Sequence, residues 1–227
     1  MNGYPIMRLS RVFCRIFVTF TDRIEAGRAI AGHLAHIDDA CAVVLGLARG
    51  GVIVAHEVAK TLRAPLDVLL VKKIPSPENC ELALGAVAPD GIVVIDWPMV
   101  RRCDASTKYI QEKIDELAKQ IREKILIYRK GKPPLLLTGK TVILIDDGAA
   151  TGSTFEAAVA WARHKHAQSI IGAVPVAPPE VAKRLSLITN RFITIVSDNQ
   201  FRAVGQYYLE FPQVDDQDLI RLLQEES

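Results

Sequence analysis

Val142-Ile143-Leu144-Ile145-Asp146-Asp147-Gly148-Ala149-Ala150-Thr151-Gly152-Ser153-Thr154 begins as a strand and ends as something that can hold a ligand. Four consecutive aliphatic residues suit a strand buried on both faces. Two carboxylates end the run, and a turn of small residues and hydroxyls follows. Such a turn can present successive backbone N–H groups at the start of a helix, where the helix dipole favours an anion. Ser153 and Thr154 can cap that helix, and the hydroxyls of Thr151, Ser153 and Thr154 can donate to phosphate oxygens. Asp146 and Asp147, at the strand's carboxyl end, can accept hydrogen bonds from two neighbouring sugar hydroxyls. On spacing alone the same letters also describe an ordinary Asp-Asp-Gly turn followed by an ordinary cap. Neither the Gly-Lys-Ser/Thr of a nucleotide P-loop nor the Gly-x-Gly-x-x-Gly of a dinucleotide fold accompanies them.

Outward from this stretch, apolar runs recur at 42–47, 66–71, 92–95, 170–176 and 192–196. Helical periodicity separates them at 22–36, 52–62, 107–128 and 154–166. That alternation predicts an α/β fold, a mostly parallel sheet flanked by helices, with ligands beyond the strands' carboxyl ends. The longest helical pattern carries Ile110, Ile114, Leu117, Ile121, Ile125 and Tyr128 in one stripe and stops before Pro133-Pro134. It reads as a core-covering helix, with docking on another subunit as the alternative.

The 227 residues fit one domain with some elaboration. A formal charge of +2, with no basic stripe, gives no sign of a nucleic-acid partner. Cys14, Cys41, Cys80 and Cys103 are too scattered for a metal cluster or disulfide framework, and suit thiols in a reducing cytoplasm. Residues 1–19 mix Arg8, Arg11 and Arg15 with apolar side chains. The arginines interrupt any signal-peptide core, so the segment reads as an N-terminal arm. No stretch approaches the roughly 20 apolar residues of a membrane span.

Two further segments can meet an anion. Arg49-Gly50-Gly51 follows the 42–47 run. Arg49 can grip phosphate oxygens bidentately and the glycines allow close backbone approach, although a strand-to-helix turn with a solvated arginine has the same sequence. Lys72-Lys73 precedes Ile74-Pro75-Ser76-Pro77-Glu78-Asn79-Cys80-Glu81. Two cations before a Pro-punctuated polar segment read as a flap, or as a solvated strand edge.

The 142–154 string resembles the 5-phosphoribosyl 1-diphosphate (PRPP) signature of the type I phosphoribosyltransferases. From Phe20-Thr21-Asp22-Arg23-Ile24-Glu25-Ala26-Gly27, through Asn79 to Val87, to Phe201–Tyr208 and Phe211-Pro212-Gln213, the chain resembles a little-characterised bacterial group of predicted phosphoribosyltransferases. The resemblance implies a type I core with a small hood, a single domain over 20–227, a flexible loop at about 74–90 and a helical insert at about 104–130. It implies PRPP held by Asp146, Asp147, Gly148, Ala149, Ala150, Thr151, Gly152, Ser153 and Thr154. Pyrophosphate falls to Arg49, Gly50, Gly51, Lys72 and Lys73. Mg2+ meets Asp146 and Asp147 through water, and Asp146, Asp147, Lys73 and Glu81 serve catalysis. The partner is a nucleobase-like or other nitrogen acceptor, with a homodimer allowed. Purine-salvage relatives acting on hypoxanthine and guanine carry an aspartate where this chain has Ala150, which weighs against those bases and leaves an adenine-like or other nitrogen nucleophile, or an unusual acceptor. Phe201, Tyr207, Tyr208 and Phe211 can wall a planar base or belong to the core. A PRPP-binding regulator with little or no catalysis is the alternative to an enzyme.

Overall fold

The computed structural model describes residues 20–37, 41–79 and 82–225. In chain order these form α1 (Arg23–Leu34), β1 (Ala42–Leu47), α2 (Gly50–Leu62), β2 (Leu66–Leu69), β3 (Lys72–Pro75), β4 (Ala83–Val87), β5 (Val93–Ile95), α3 (Trp97–Arg102) and α4 (Thr107–Arg129). Then come β6 (Thr141–Ile145), α5 (Ser153–His164), β7 (Ser169–Ala177), α6 (Pro179–Ile188), β8 (Arg191–Ser197) and α7 (Asp216–Glu225).

Five strands make one sheet in the order β2-β1-β6-β7-β8, each neighbouring pair parallel. The inner strands β1, β6 and β7 are buried almost end to end, which is why each reads as an unbroken apolar run. Their pleat sorts the core into two layers. Val44, Ile143 and Ile145 pack with Ile30, Val58, Ile121 and Leu219 on the side of α1, α2, α4 and α7. Val43, Leu45, Val142 and Leu144 pack with Phe155, Trp161 and Leu185 on the side of α5 and α6. Gly46 pairs with Ile145, and Ile145 with Ala173, so β1 and β6 end nearly level while β7 runs on to Ala177.

The strands β3, β4 and β5 form a separate antiparallel sheet. Here the structure departs from expectation. The 92–95 run belongs to this small sheet and not to the main one. The range 74–90 holds β4 and enters a 3-10 turn at Pro89–Gly91, so the expected loop shrinks to the connection between β3 and β4. Neither β3 nor β4 announces itself in sequence: β3 has one buried aliphatic, Ile74, beside two lysines and a proline, and β4 is mostly small residues. Gly85 is there because a Cβ would lie 2.2 Å from the Val94 carbonyl oxygen. The small sheet is tied down from two sides. The Trp161 indole N–H donates to Asp90 at 2.8 Å, and the Tyr109 hydroxyl donates to the Pro75 carbonyl at 3.1 Å.

The helix α4 covers the core as its periodicity predicts, with Ile110, Leu117, Ile121 and Tyr128 buried. The Ser106 hydroxyl caps its start by accepting from the Tyr109 N–H at 3.2 Å, and Lys130 and Gly131, both at positive φ, end it. The expected N-terminal arm, 1–19, lies outside the described residues. Phe20, the first of them, is pinned: its N–H donates to the Tyr207 carbonyl, and its carbonyl accepts from the Leu209 N–H, both at 2.8 Å.

Candidate active site

The strands β1 and β6 are neighbours whose chain connections run to opposite halves of the sheet, which makes the crevice between their carboxyl ends the topological switch point. The turn after β1 and the acidic pair after β6 meet there. A Cβ on Gly50 would lie 1.9 Å from Asp147 Oδ2, and one on Gly51 would lie 2.8 Å from the Asp146 Cα. Gly51 requires glycine because the backbone at the end of β6 presses on it, and Gly50 because the Asp147 and Arg23 side chains do. The Ala48–Arg49 peptide bond in this turn is cis.

Asp147 is the most heavily held residue of the site. Arg23 Nε donates to its Oδ2 at 2.8 Å, and the side chains are 8% and 16% exposed. A second guanidinium nitrogen of Arg23 donates to the Pro212 carbonyl at 2.8 Å, and its carbon lies 3.7 Å from the Phe211 ring centroid. The Tyr208 hydroxyl donates to the Asp147 carbonyl at 2.7 Å. Burial, and then the charge of Asp147, push the Asp146 carboxyl well above the usual carboxylate range. Burial also raises Asp147, against the opposing pull of Arg23.

Beyond the pair, the turn 148–154 runs into α5. Gly152, left-handed at φ 78°, is the N-cap and supplies no side-chain cap. Ser153 and Thr154 are therefore the first two helical residues and not the expected caps. The Ala149 N–H is taken by the Val176 carbonyl at 2.9 Å, so Ala149 contributes shape to the cradle but no donor. The N–H groups at the start of α5 lack acceptors within the helix, and the Thr151 and Ser153 hydroxyls lie 3.1 Å apart beside them. Arg184 on α6 braces the turn by donating to the Thr151 carbonyl and pairing with Glu156.

The two lysines of β3 part company, as successive residues of a strand must. Lys73 borders a cavity of about 630 Å³ with Asp96, Thr151, Ser153, Glu180 and Arg184, and its charge is felt at Asp146. Lys72 turns away and donates to Gln120 of α4 at 2.6 Å, so the expectation that both lysines face the site is corrected. Arg49 borders a second cavity, about 350 Å³, with Arg23, Gly50, Phe211 and Gln213. Glu81 lies outside the described residues, and Glu78 is exposed.

Sequence reasoning passed over Arg23 and Arg184. Arg23 sits inside a quoted segment, but a lone arginine in the first turn of a helix carries no signal that it reaches the acidic pair, 124 positions away. The aromatic cluster divides: Tyr207 and Tyr208 belong to the core, Phe201 stacks on Tyr207 at 5.5 Å, and Phe211 lies against Arg23. Among the described residues no three His, Cys, Asp or Glu side chains gather into a metal cluster, and no helix is long and apolar enough to cross a membrane.

The phosphoribosyl transferase domain family matches residues 21–210. The chain belongs to this family. Its fold, a five-stranded parallel sheet flanked by helices with a second small antiparallel sheet, is that of the type I phosphoribosyltransferases. A Mycobacterium tuberculosis protein named "Putative phosphoribosyl transferase Rv0571c" is 39% identical over 206 residues, which cover 90% of this chain and 46% of that protein. This chain thus spans about half the length of the curated relatives it matches. The crystal structure of TT1426 from Thermus thermophilus superposes with a TM-score of 0.78 at 38% identity, covering 92% of this chain and 99% of that one. Membership fits the site: the matched segment holds the turn after β1, the acidic pair and the cradle.

Proposed function

We propose that the protein is a Mg2+-dependent phosphoribosyltransferase that uses PRPP as donor, a nitrogen compound as acceptor, and releases pyrophosphate. The observation that carries this reading is the contact of Gly50 and Gly51 with Asp146 and Asp147 at the switch point, with the N-terminus of α5 opening at the same end of the sheet. In this reading the 5-phosphate accepts hydrogen bonds from the first turn of α5 and from Thr151, Ser153 and Thr154, and the ribose hydroxyls donate to Asp146 and Asp147. Pyrophosphate is received by Arg49-Gly50-Gly51, with Lys73 as a second cation from the β3 side. The C1–O bond breaks with its electron pair on pyrophosphate as the acceptor nitrogen bonds to C1. Cations at the leaving group and carboxylates near the ribose stabilise charge as it develops.

The donor set suits Mg2+, which keeps waters and substrate oxygens and needs few protein ligands. Asp146 and Asp147 would hold it through water, where it would neutralise charge on the departing pyrophosphate. Ala150, exposed on the cradle, offers no carboxylate for a purine N7 proton, which supports an acceptor other than hypoxanthine or guanine.

The test is a pyrophosphate-release screen across nucleobases and other nitrogen heterocycles with PRPP and Mg2+. Turnover on one acceptor that Asp146→Asn and Asp147→Asn abolish, with the fold retained, supports the enzyme. Tight PRPP binding without turnover on any acceptor would make it a PRPP-responsive binding protein. Absence of PRPP binding sinks both.

A further inference from the structure

Asp216, the first residue of α7, is shared among three groups. Lys124 of α4 pairs closely with its Oδ2, the Tyr128 hydroxyl donates to Oδ1 at 2.8 Å, and an Arg49 guanidinium nitrogen lies 3.7 Å from the same Oδ1. These contacts are unequal. The two from α4 are hydrogen bonds, whereas 3.7 Å is beyond hydrogen-bond length and leaves Arg49 held by attraction between side chains 37% and 31% exposed. Arg49 is the partner Asp216 can give up while Lys124 and Tyr128 still satisfy it. The same guanidinium borders the cavity beside Gly50 and Arg23.

We propose that Asp216 is a positioning residue that holds Arg49 beside the cavity and yields it to an incoming pyrophosphate group, with α4 setting the strength of that hold. The proposal rests on the reading that Arg49-Gly50-Gly51 receives pyrophosphate. Because Asp216 Oδ1 serves both Tyr128 and Arg49, whatever α4 releases becomes available to Arg49. Removing the carboxylate and removing its competitor therefore act in opposite directions. Asp216→Asn keeps an oxygen for Tyr128 but frees Arg49, and pyrophosphate binds more tightly. Tyr128→Phe leaves Oδ1 to Arg49, and pyrophosphate binds more weakly. A purely structural role, in which either change loosens α7, would move both variants the same way.

The experiment is calorimetric titration of the full chain with inorganic pyrophosphate and Mg2+, for the wild type, Asp216→Asn, Tyr128→Phe and Arg49→Gln. The expected shifts are about two- to fivefold tighter for Asp216→Asn and weaker by a similar factor for Tyr128→Phe, the range of an exposed charge pair. Should Asp216→Asn fail to fold, Asp216→Ser removes the same charge while keeping a helix-starting side chain. If Arg49→Gln binds pyrophosphate as well as the wild type, the reading of the loop itself fails, and this proposal with it. If Arg49→Gln weakens binding but the other two variants shift together or not at all, the loop assignment stands and the role of Asp216 is overturned.

Discussion

Gly50→Ala sets two effects against each other. Gly50 opens α2, where alanine is the better helix former by roughly 0.5–1 kcal/mol, so local reasoning expects a more stable protein. Packing expects the reverse. The added methyl would lie 1.9 Å from Asp147 Oδ2 and 2.8 Å from Arg23 Nε, so one or both side chains must shift, and each is held by the other. The carboxylate must retreat by about 1 Å, and a 2.8 Å ion pair wedged apart by that much no longer forms a hydrogen bond. Breaking a buried pair costs about 3–5 kcal/mol. Less the helix gain, the net loss is about 2–4 kcal/mol, which in a chain of this size lowers the melting midpoint by about 5–15 °C. The displaced Asp147 should also slow PRPP-dependent pyrophosphate release by about 100-fold, as a 1 Å misplacement in a reacting geometry can. Thermal melts and steady-state pyrophosphate release measure the two effects separately. A Gly50→Ala protein that melts at or above the wild-type temperature would refute the packing argument.

Three further outcomes follow from the same geometry. Asp146→Asn should abolish turnover yet raise stability at neutral pH. A carboxyl whose folded pKa lies above its unfolded value costs stability as pH climbs from the unfolded to the folded pKa, and asparagine removes that cost. Melts from pH 4 to pH 8 should show the variant pulling ahead of the wild type as pH rises, and parallel curves would count against it. Lys73→Ala should weaken PRPP binding severalfold by calorimetry, whereas Lys72→Ala, whose bond is to Gln120 of α4, should leave it near wild type; equal effects would refute the division of roles between the two lysines. Tyr208→Phe should cost about 1–3 kcal/mol in denaturant titrations, because it strands the Asp147 carbonyl; an unchanged midpoint would show that the hydroxyl does not matter.

Legibility tracked the range over which each interaction acts. β1, β6 and β7 were readable because a strand covered on both faces must be apolar throughout, and α4 because its stripe repeats over 23 residues. The acidic pair, the 148–154 turn and the glycine turn could be singled out as candidates because each is a short continuous segment, and the structure brings them to the same end of the sheet. The orientation of Lys72 depends on strand register, which two adjacent lysines do not reveal. The N-cap at Gly152 displaced Ser153 and Thr154 because the helix begins directly after a left-handed residue, one position earlier than the hydroxyls suggested. Arg23, Arg184 and Asp216 act across 124, 33 and 92 positions, and nothing local marks a residue whose partner is that distant.

The clasp of Arg23 on the Pro212 carbonyl bridges 189 positions, and the pairing of Phe20 with Tyr207 and Leu209 closes a loop of similar size. Bringing such distant segments together costs roughly 4–5 kcal/mol of chain entropy, only about 0.6 kcal/mol more than a loop half as long; what delays this closure is that one partner lies near the end of the described residues. As the chain emerges during synthesis, the 142–147 segment and the turn after β1 are complete well before residue 212 arrives. Until then the Arg23 guanidinium lacks its second anchor and the two carboxyls lack a fixed counter-charge. Closure of the acidic pair is in this sense the last step in building the candidate site, and a chain cut short of residue 207 would carry every residue of the 142–154 segment beside a pair that has not been clasped.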